Sequence, residues 1–228
     1  MNFLKEIFNI FYPEICLCCK DPLTTNEQSI CLKCRHDLPL TNFTREKNNL
    51  VEKIFYGRFP IEEATSLFYF LKKGKVQQLM HELKYNNQQQ IGNLIGDWLG
   101  EEILESKRFN DVDCIIPVPL HKKKKKIRGY NQVSTFGKSL SFKLNIPFYE
   151  DVLIKTSSTK TQTKKLRFDR WKNAEHQFII KNKELIKNRH ILLIDDIITT
   201  GATLEACLNT LEKSDNTKVS IATMAYTK

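Results

Sequence analysis

Hydrophobic residues follow two different patterns along the chain. Over 76–85 and 89–106 they recur every three or four positions, which predicts two amphipathic helices. Later, short unbroken apolar runs such as Ile191–Ile194 alternate with helix-like segments, and such runs are typical of strands buried on both faces. The alternation indicates an α/β fold with an open, mostly parallel sheet flanked by helices.

The same pattern gives approximate bounds for the elements. Strands are predicted at 65–71, 112–118, 148–154, 176–181, 190–195 and 218–226. Helices are predicted at 3–11, 76–85, 89–106, 130–144 and 203–213, with a linker and short helix at 35–60 and a helical turn near 168–174. Lys-rich loops are expected after residue 119 and over about 155–167.

Cysteines concentrate at the start of the sequence, where five of the seven lie within the first 34 residues. Four of them form two C-x2-C pairs separated by eleven residues, namely Cys16, Cys19, Cys31 and Cys34. Two such pairs offer four thiolates to one tetrahedral structural Zn²⁺. Cys18 is an alternative to Cys19, and His36 is a weaker substitute for Cys34. Disulfides are the rival interpretation, which the lack of a secretory signal disfavours.

Charge is unevenly distributed around a formal net value of +10. Residues 122–128 carry six positive charges and 155–173 carry seven basic residues with one acidic, so the remainder is close to neutral. Two basic segments point to a polyanion such as a phosphate ester, nucleic acid or anionic lipid, although Lys runs are often only solvated surface. The candidate nucleic-acid residues are Lys122, Lys123, Lys124, Lys125, Lys126, Arg167 and Arg170. The aromatic residues Tyr130, Phe136 and Phe168 are candidates either for base stacking or for the core.

Composition is that of an ordinary globular protein, with 41% hydrophobic and 27% charged residues. No apolar run approaches the roughly 20 residues of a membrane helix. The first thirteen residues include Lys5 and Glu6 and make a poor secretory signal, so a cytoplasmic protein is expected.

The segment from Ile191 to Thr203 carries the most specific chemistry. An apolar strand runs directly into Asp195 and Asp196, then into a turn of small residues that opens a helix. Backbone N–H groups and hydroxyls at such a turn suit a phosphate, and Gly201 permits a close approach or a positive φ. Two carboxylates beside it could accept hydrogen bonds from ribose hydroxyls. The segment therefore predicts a site for a ribose 5-phosphate.

Two other interpretations explain less of this segment. A Walker B strand would need a GxxxxGK[ST] loop, which does not occur in the sequence. A strand followed by a capped helix accounts for one Thr or Asp, but not for the thirteen-residue pattern.

The pattern ILLIDDIITTGAT resembles the phosphoribosyl-pyrophosphate (PRPP) signature of type I phosphoribosyltransferases. Two further segments are similar to the ComF family within that fold. One is Ile116–Leu120, followed by a basic stretch and by Arg128–Gln132; the other contains Gln162, Leu166, Arg167, Arg170 and Asn173. The four-Cys module is also a ComF feature.

The resemblance implies a three-part chain and a PRPP site. The parts are a zinc module at 1–45, a linker and helical hood at 46–110, and a phosphoribosyltransferase-fold core at 111–228. The implied ligand residues are Asp195, Asp196, Thr199, Thr200, Gly201, Ala202, Thr203, Val118 and Arg128, with Asp195 and Asp196 as the catalytic pair. The strand end at 117–121 would form the pyrophosphate loop, 155–167 would close over the ligand, and Mg²⁺ would travel with PRPP.

Two functions are compatible with this site. The first is a competence protein that binds PRPP and handles incoming single-stranded DNA in natural transformation, with a competence helicase and a DNA-processing protein as partners and peripheral association with the inner membrane. The second is an active phosphoribosyltransferase in nucleotide or amino-transfer metabolism. No acceptor pocket can be identified from the sequence, which favours the first.

Overall fold

The structure is a computed structural model that describes residues 12–156 and 177–228. The predicted helix at 3–11, the turn near 168–174 and nearly all of the predicted closing loop lie outside the described residues. So do Arg167, Arg170 and Phe168. Within helix Lys122–Arg128, the side chains described are those from Ile127 onward together with Lys124 and Lys126.

Four parallel strands form the central sheet. They are β1 (Ala64–Tyr69), β2 (Cys114–Pro117), β5 (His190–Ile198) and β6 (Lys218–Tyr226), in the order β1-β6-β5-β2. All three pairings between neighbours are parallel. The predicted open, parallel α/β sheet is therefore confirmed.

A second, two-stranded sheet is formed by residues from the end of the first described range and the start of the second. It consists of β3 (Leu153–Lys155) and β4 (Phe178–Ile180), which pair antiparallel. The strand predicted at 148–154 is thus shorter than expected, although Phe148 makes an isolated bridge to Ile115.

Seven helices are described alongside these strands. They are α1 (Leu32–His36), α2 (Leu50–Phe55), α3 (Lys75–Tyr85), α4 (Gln90–Ser106), α5 (Lys122–Arg128), α6 (Gln132–Leu144) and α7 (Ala202–Leu211), with a 3₁₀ turn at Lys183–Leu185. No described helix is long and apolar enough to cross a membrane.

Helices α4 and α6 lie unusually close together because glycines line their contact. A Cβ added at Gly96 would stand 2.6 Å from the Cβ of Ser139, and one at Gly100 would stand 2.9 Å from the Cβ of Lys143. The absence of side chains at these positions lets the two helix backbones approach each other.

The core lies on both faces of the sheet. Along β2 and β5, Ile115, Leu192 and Ile194 pack into one apolar cluster, whereas the alternate residues Ile191 and Leu193 pack into the other. Successive strand residues point to opposite faces. Unbroken apolar runs are therefore required here, because both faces are covered.

Two features differ from the sequence expectations. The Lys run forms helix α5 and not a loop. Strand β1 pairs along the edge of β6, so the segment 46–110, expected to form a linker and hood, also supplies an edge strand of the core sheet.

Candidate functional site

The four cysteines of the two C-x2-C pairs meet in one cluster. The sulfur atoms of Cys16, Cys19, Cys31 and Cys34 all lie within 4.8 Å of one another. The Sγ atoms of Cys19 and Cys31 are 3.8 Å apart, which is about the edge of a ZnS₄ tetrahedron with Zn–S bonds of about 2.3 Å.

The alternative ligands lie outside this cluster. Cys18 is not among the clustered thiols, and burial raises the pKa of its thiol to about 12. The His36 side chain is almost fully exposed and faces Asp37. No cysteine forms a disulfide. The geometry therefore selects Cys19 and Cys34.

Backbone N–H groups support the cysteine sulfurs. The N–H groups of Cys18 and Cys31 donate to Cys16 Sγ at 3.4 and 3.3 Å, and the Cys34 N–H donates to Cys31 Sγ at 3.4 Å. Burial opposes ionisation of Cys16, but backbone N–H donors outweigh it and lower the pKa of its thiol to about 6. A thiolate is the form that binds zinc, which Cys16 favours, whereas burial raises the pKa of the Cys34 thiol to about 12. The clustering of the four sulfurs is therefore the observation that fits a structural Zn²⁺.

The cysteine module is fixed to the rest of the protein through helix α3. Lys20 forms an ion pair with buried Glu82 at 2.6 Å, and Asp37 pairs with Lys75 at 2.7 Å. Cys16 and Cys34 belong to the same apolar cluster as residues of α3 and α4. The module therefore shares a core with the sheet.

The acidic pair lies within strand β5, because that strand extends three residues beyond its predicted end to Ile198. Asp195 Oδ1 accepts a hydrogen bond from the Asp196 N–H at 2.8 Å. Burial, followed by the charge of Asp196, raises the pKa of Asp195 well above its usual range. Simultaneous ionisation of Asp195 and Asp196 is thus disfavoured unless a nearby cation compensates the charge.

Lys84 supplies that cation from helix α3. Its Nζ lies 2.8 Å from Asp196 Oδ2, and both side chains are largely buried, with exposed fractions of 19% and 12%. Gln132 Nε2 also donates to Asp196 Oδ2 at 2.8 Å, and the Ile197 N–H donates to Oδ1 at 2.7 Å. Asp196 is therefore held by three donors.

Arg128 joins this network through Gln132. Its Nη1 donates to Gln132 Oε1 at 2.7 Å, so the predicted ligand residue Arg128 is connected to Asp196 by a single amide. Sequence reasoning missed the roles of Lys84 and Gln132. The position of Gln132 in the Arg128–Gln132 segment was a usable signal, but nothing near Lys84 in the sequence pointed to β5.

The predicted phosphate turn lies between β5 and α7. Gly201 has φ +78°, and an added Cβ would stand 2.7 Å from Ile54 Cγ2, so both conformation and space favour glycine. Thr199, Thr200, Ala202 and Thr203 are exposed at the start of the ten-residue helix α7. Glu205, an acidic residue in the first turn, is ion-paired with Arg58.

Other predicted residues have different environments. Val118 is buried, and its N–H donates to the Ile194 carbonyl at 2.8 Å, so this N–H is already used in the core. Lys124 and Lys126 are exposed on α5. Of the aromatic candidates, Phe136 is fully buried and the half-buried Tyr130 donates its hydroxyl to the Leu83 carbonyl. Phe136 is therefore a core residue.

The phosphoribosyl transferase domain family model matches residues 134–228, which contain β5, the acidic pair and the phosphate turn. Competence protein F of Haemophilus influenzae is 32% identical over 139 residues, covering 59% of this chain and 61% of that protein. The DNA utilization protein YhgH of Escherichia coli O157:H7 is 30% identical over 132 residues, covering 55% of this chain and 56% of that protein.

A longer match includes much of the N-terminal half. Competence protein ComFC of Streptococcus pneumoniae is 25% identical over 201 residues, covering 86% of this chain and 73% of that protein. These matches support the resemblance to the ComF family that the sequence motifs indicated. The expected type I phosphoribosyltransferase fold with a four-Cys module is confirmed. The chain spans only about six-tenths of the length of the first two relatives.

Proposed function

We propose that this protein acts as a ComF-like competence protein that binds PRPP, or a related phosphoribosyl ligand, and handles single-stranded DNA in the cytoplasm during natural transformation. The observation that carries the ligand proposal is the turn Thr199–Thr203 at the start of α7, directly after the acidic pair. The 5-phosphate would bind the backbone N–H groups of this turn. The ribose hydroxyls would donate to Asp195.

The cations of the network suit the other end of the ligand. Lys84 contacts Asp196 directly and Arg128 is linked to it through Gln132, so both would help to offset the charge of a pyrophosphate group. Magnesium would supply further charge neutralisation when bound. Lys84 already faces Asp196, so Asp195 is the carboxylate better suited to assist Mg²⁺. Oxygens of the ligand would be the main donors to the metal ion.

Calorimetric titration with PRPP and Mg²⁺ tests the ligand site. Asp195→Asn keeps an oxygen for the Asp196 N–H but removes the charge facing the ligand, so affinity is expected to fall at least tenfold. Asp215→Asn is the matched control, because Asp215 is highly exposed and lies in a loop before β6. Equal PRPP affinity in parent and Asp195→Asn would show that the site assignment is wrong.

Charge and the names of the relatives support the DNA proposal. Helix α5 carries five consecutive lysines, whose mutual repulsion an anionic strand would relieve. Relatives are named for competence and for DNA utilization. A helicase and a DNA-processing protein as partners, and peripheral association with the inner membrane, belong to the same proposal.

Salt dependence tests whether the lysines follow a phosphate backbone. Each neutralised phosphate of a single strand contributes about −0.7 to the logarithmic salt slope. Changing Lys123, Lys124 and Lys125 to Gln should therefore flatten the slope by roughly two units and weaken binding for all sequences alike. A control with Lys47, Lys53 and Lys107 changed to Gln removes the same charge from exposed positions outside α5. Equal effects of both triple variants would contradict a specific role for α5.

An active phosphoribosyltransferase would use the same site and is the second candidate, because the acidic pair and the phosphate turn lie within the residues that the phosphoribosyl transferase domain model matches. The two functions differ in turnover. Pyrophosphate release from PRPP that depends on an added acceptor, and that Asp195→Asn abolishes, would favour the enzyme.

A further inference from the structure

The outer face of helix α3 carries an exposed aromatic ring between two cationic or polar groups. Tyr85 is 65% exposed. Its ring centroid lies 5.0 Å from that of His81, and the Arg128 guanidinium lies 5.4 Å above its ring. The Tyr85 ring therefore contacts an imidazole and a guanidinium group, while most of the Tyr85 side chain remains open to solvent.

The same helix face continues into a cavity of about 320 Å³ beside the cysteine module. Its lining residues are Cys18, Lys73, Gly74, Lys75, Gln77, Gln78 and His81. Since His81 both lines this cavity and contacts Tyr85, the two features form one surface. We call it the α3 surface, defined by the cavity residues together with Tyr85 and Arg128.

The charge of the α3 surface suits an anion. None of its described lining residues is a carboxylate. Two acidic residues lie near it, but Asp37 pairs with Lys75, and Glu82 is buried and pairs with Lys20. At the Tyr85 end, Arg128 is the last residue of the lysine helix α5. Basic groups therefore stand at both ends of the surface, with an aromatic ring and amide side chains between them.

We propose that the α3 surface binds single-stranded nucleic acid, with one base stacked on the Tyr85 ring. This inference rests on the proposed DNA function and assigns it a second contact region besides the α5 lysines. Unpaired bases expose their π faces, and exposed aromatic rings beside cations bind them with little sequence preference. Duplex bases are already stacked on one another, so the surface discriminates in favour of single strands.

The position of Tyr85 connects this surface to the phosphoribosyl site. Lys84, the preceding residue, turns inward to Asp196, whereas Tyr85 points outward beside Arg128. Two adjacent residues of α3 thus serve the two proposed ligands. A base on Tyr85 would lie next to the mouth of the phosphoribosyl site.

Fluorescence anisotropy with a labelled oligothymidylate tests the stacking contact. Tyr85→Ala should weaken binding about tenfold, whereas Tyr85→Phe should bind like the parent, because the ring makes the contact. The salt slope should stay unchanged, since Tyr85 carries no charge. Phe142→Ala is the matched control, because Phe142 is 84% exposed on α6, away from this surface. Thermal melting should show all three variants folded like the parent.

An abasic oligonucleotide of the same length shows how much the bases contribute to binding. The parent should bind it about as weakly as Tyr85→Ala binds oligothymidylate, and Tyr85→Ala should cause no further loss. Three results would overturn the inference: full affinity in Tyr85→Ala, an equal loss in Tyr85→Phe, or the same loss on the abasic strand. If the parent binds oligothymidylate with a lysine-dependent salt slope but Tyr85→Ala is silent, only this inference fails. A parent without affinity for single strands overturns the DNA proposal as well.

Discussion

The ion pair between Lys84 and Asp196 can be measured as a coupling energy. Lys84→Met removes the charge and keeps the aliphatic stem, while Asp196→Asn retains an oxygen for the Ile197 N–H. The double variant has neither charge. Comparison of the four proteins gives the interaction free energy without assuming that either single change is silent.

The expected magnitude follows from the burial of the pair. Removal of one partner from a fully buried ion pair costs about 3–5 kcal/mol, because the other charge is left uncompensated. Here the exposed fractions are 19% and 12%, and Asp196 keeps Gln132 and the Ile197 N–H as donors. We therefore expect Lys84→Met to cost about 1–3 kcal/mol. For a chain of this size, each kcal/mol corresponds to about 2–4 °C in Tm.

Urea titrations and thermal melts with excess zinc supply the measurement. The double variant should cost at least 1 kcal/mol less than the sum of the two single variants. Lys143→Met is the control: its pair with Glu101 has the same N–O distance of 2.8 Å, but Glu101 is mostly exposed, so the loss should stay below about 1 kcal/mol. Additivity within about 0.5 kcal/mol would refute the claim that Lys84 compensates the acidic pair.

Two further predictions concern the cysteines and Asp195. Elemental analysis of the parent should find one equivalent of zinc. Cys31→Ser should lose the zinc and lower the Tm of the whole chain, because the cysteine module shares a core with α3. A parent free of zinc, with disulfides by mass spectrometry, would contradict this prediction. Asp195→Asn should raise the Tm at pH 7.5, because burial and the Asp196 charge raise the pKa of Asp195 and make its ionised form destabilising. The gain should shrink as pH falls towards about 4, where Asp195 is protonated in the folded protein and increasingly so in the unfolded chain. An equal gain at both pH values would point to packing instead of charge.

Local patterns were sufficient to predict most of the sheet. The runs over β2, β5 and β6 are apolar because both sheet faces are covered, and that requirement is visible in each strand separately. The acidic pair and the phosphate turn are also contiguous in sequence. Their arrangement follows from a strand that leads directly into a helix.

Contacts between distant segments could not be predicted in this way. Lys84 lies in an amphipathic helix, and the pattern of apolar residues in that helix does not indicate that the Lys84 side chain reaches β5. The lysine run was expected to be a loop, but lysine has good helix propensity, and Arg128 anchors the helix end through Gln132. Tyr85 is exposed and Phe136 is buried, and the sequence alone does not show which aromatic side chains reach the surface.

The strand order of the sheet has a consequence for synthesis on the ribosome. Strand β6 lies between β1 and β5, and its register joins Ala64 to Ile221, which are far apart in the sequence. Strand β1 therefore emerges early and has no sheet neighbour among the described strands until β6 has been made. The four clustered cysteines all lie within the first 34 residues, so they emerge long before that. Until β6 arrives, β1 lacks the strand with which it pairs in the central sheet, so the last described strand to be translated is also the one that completes the sheet.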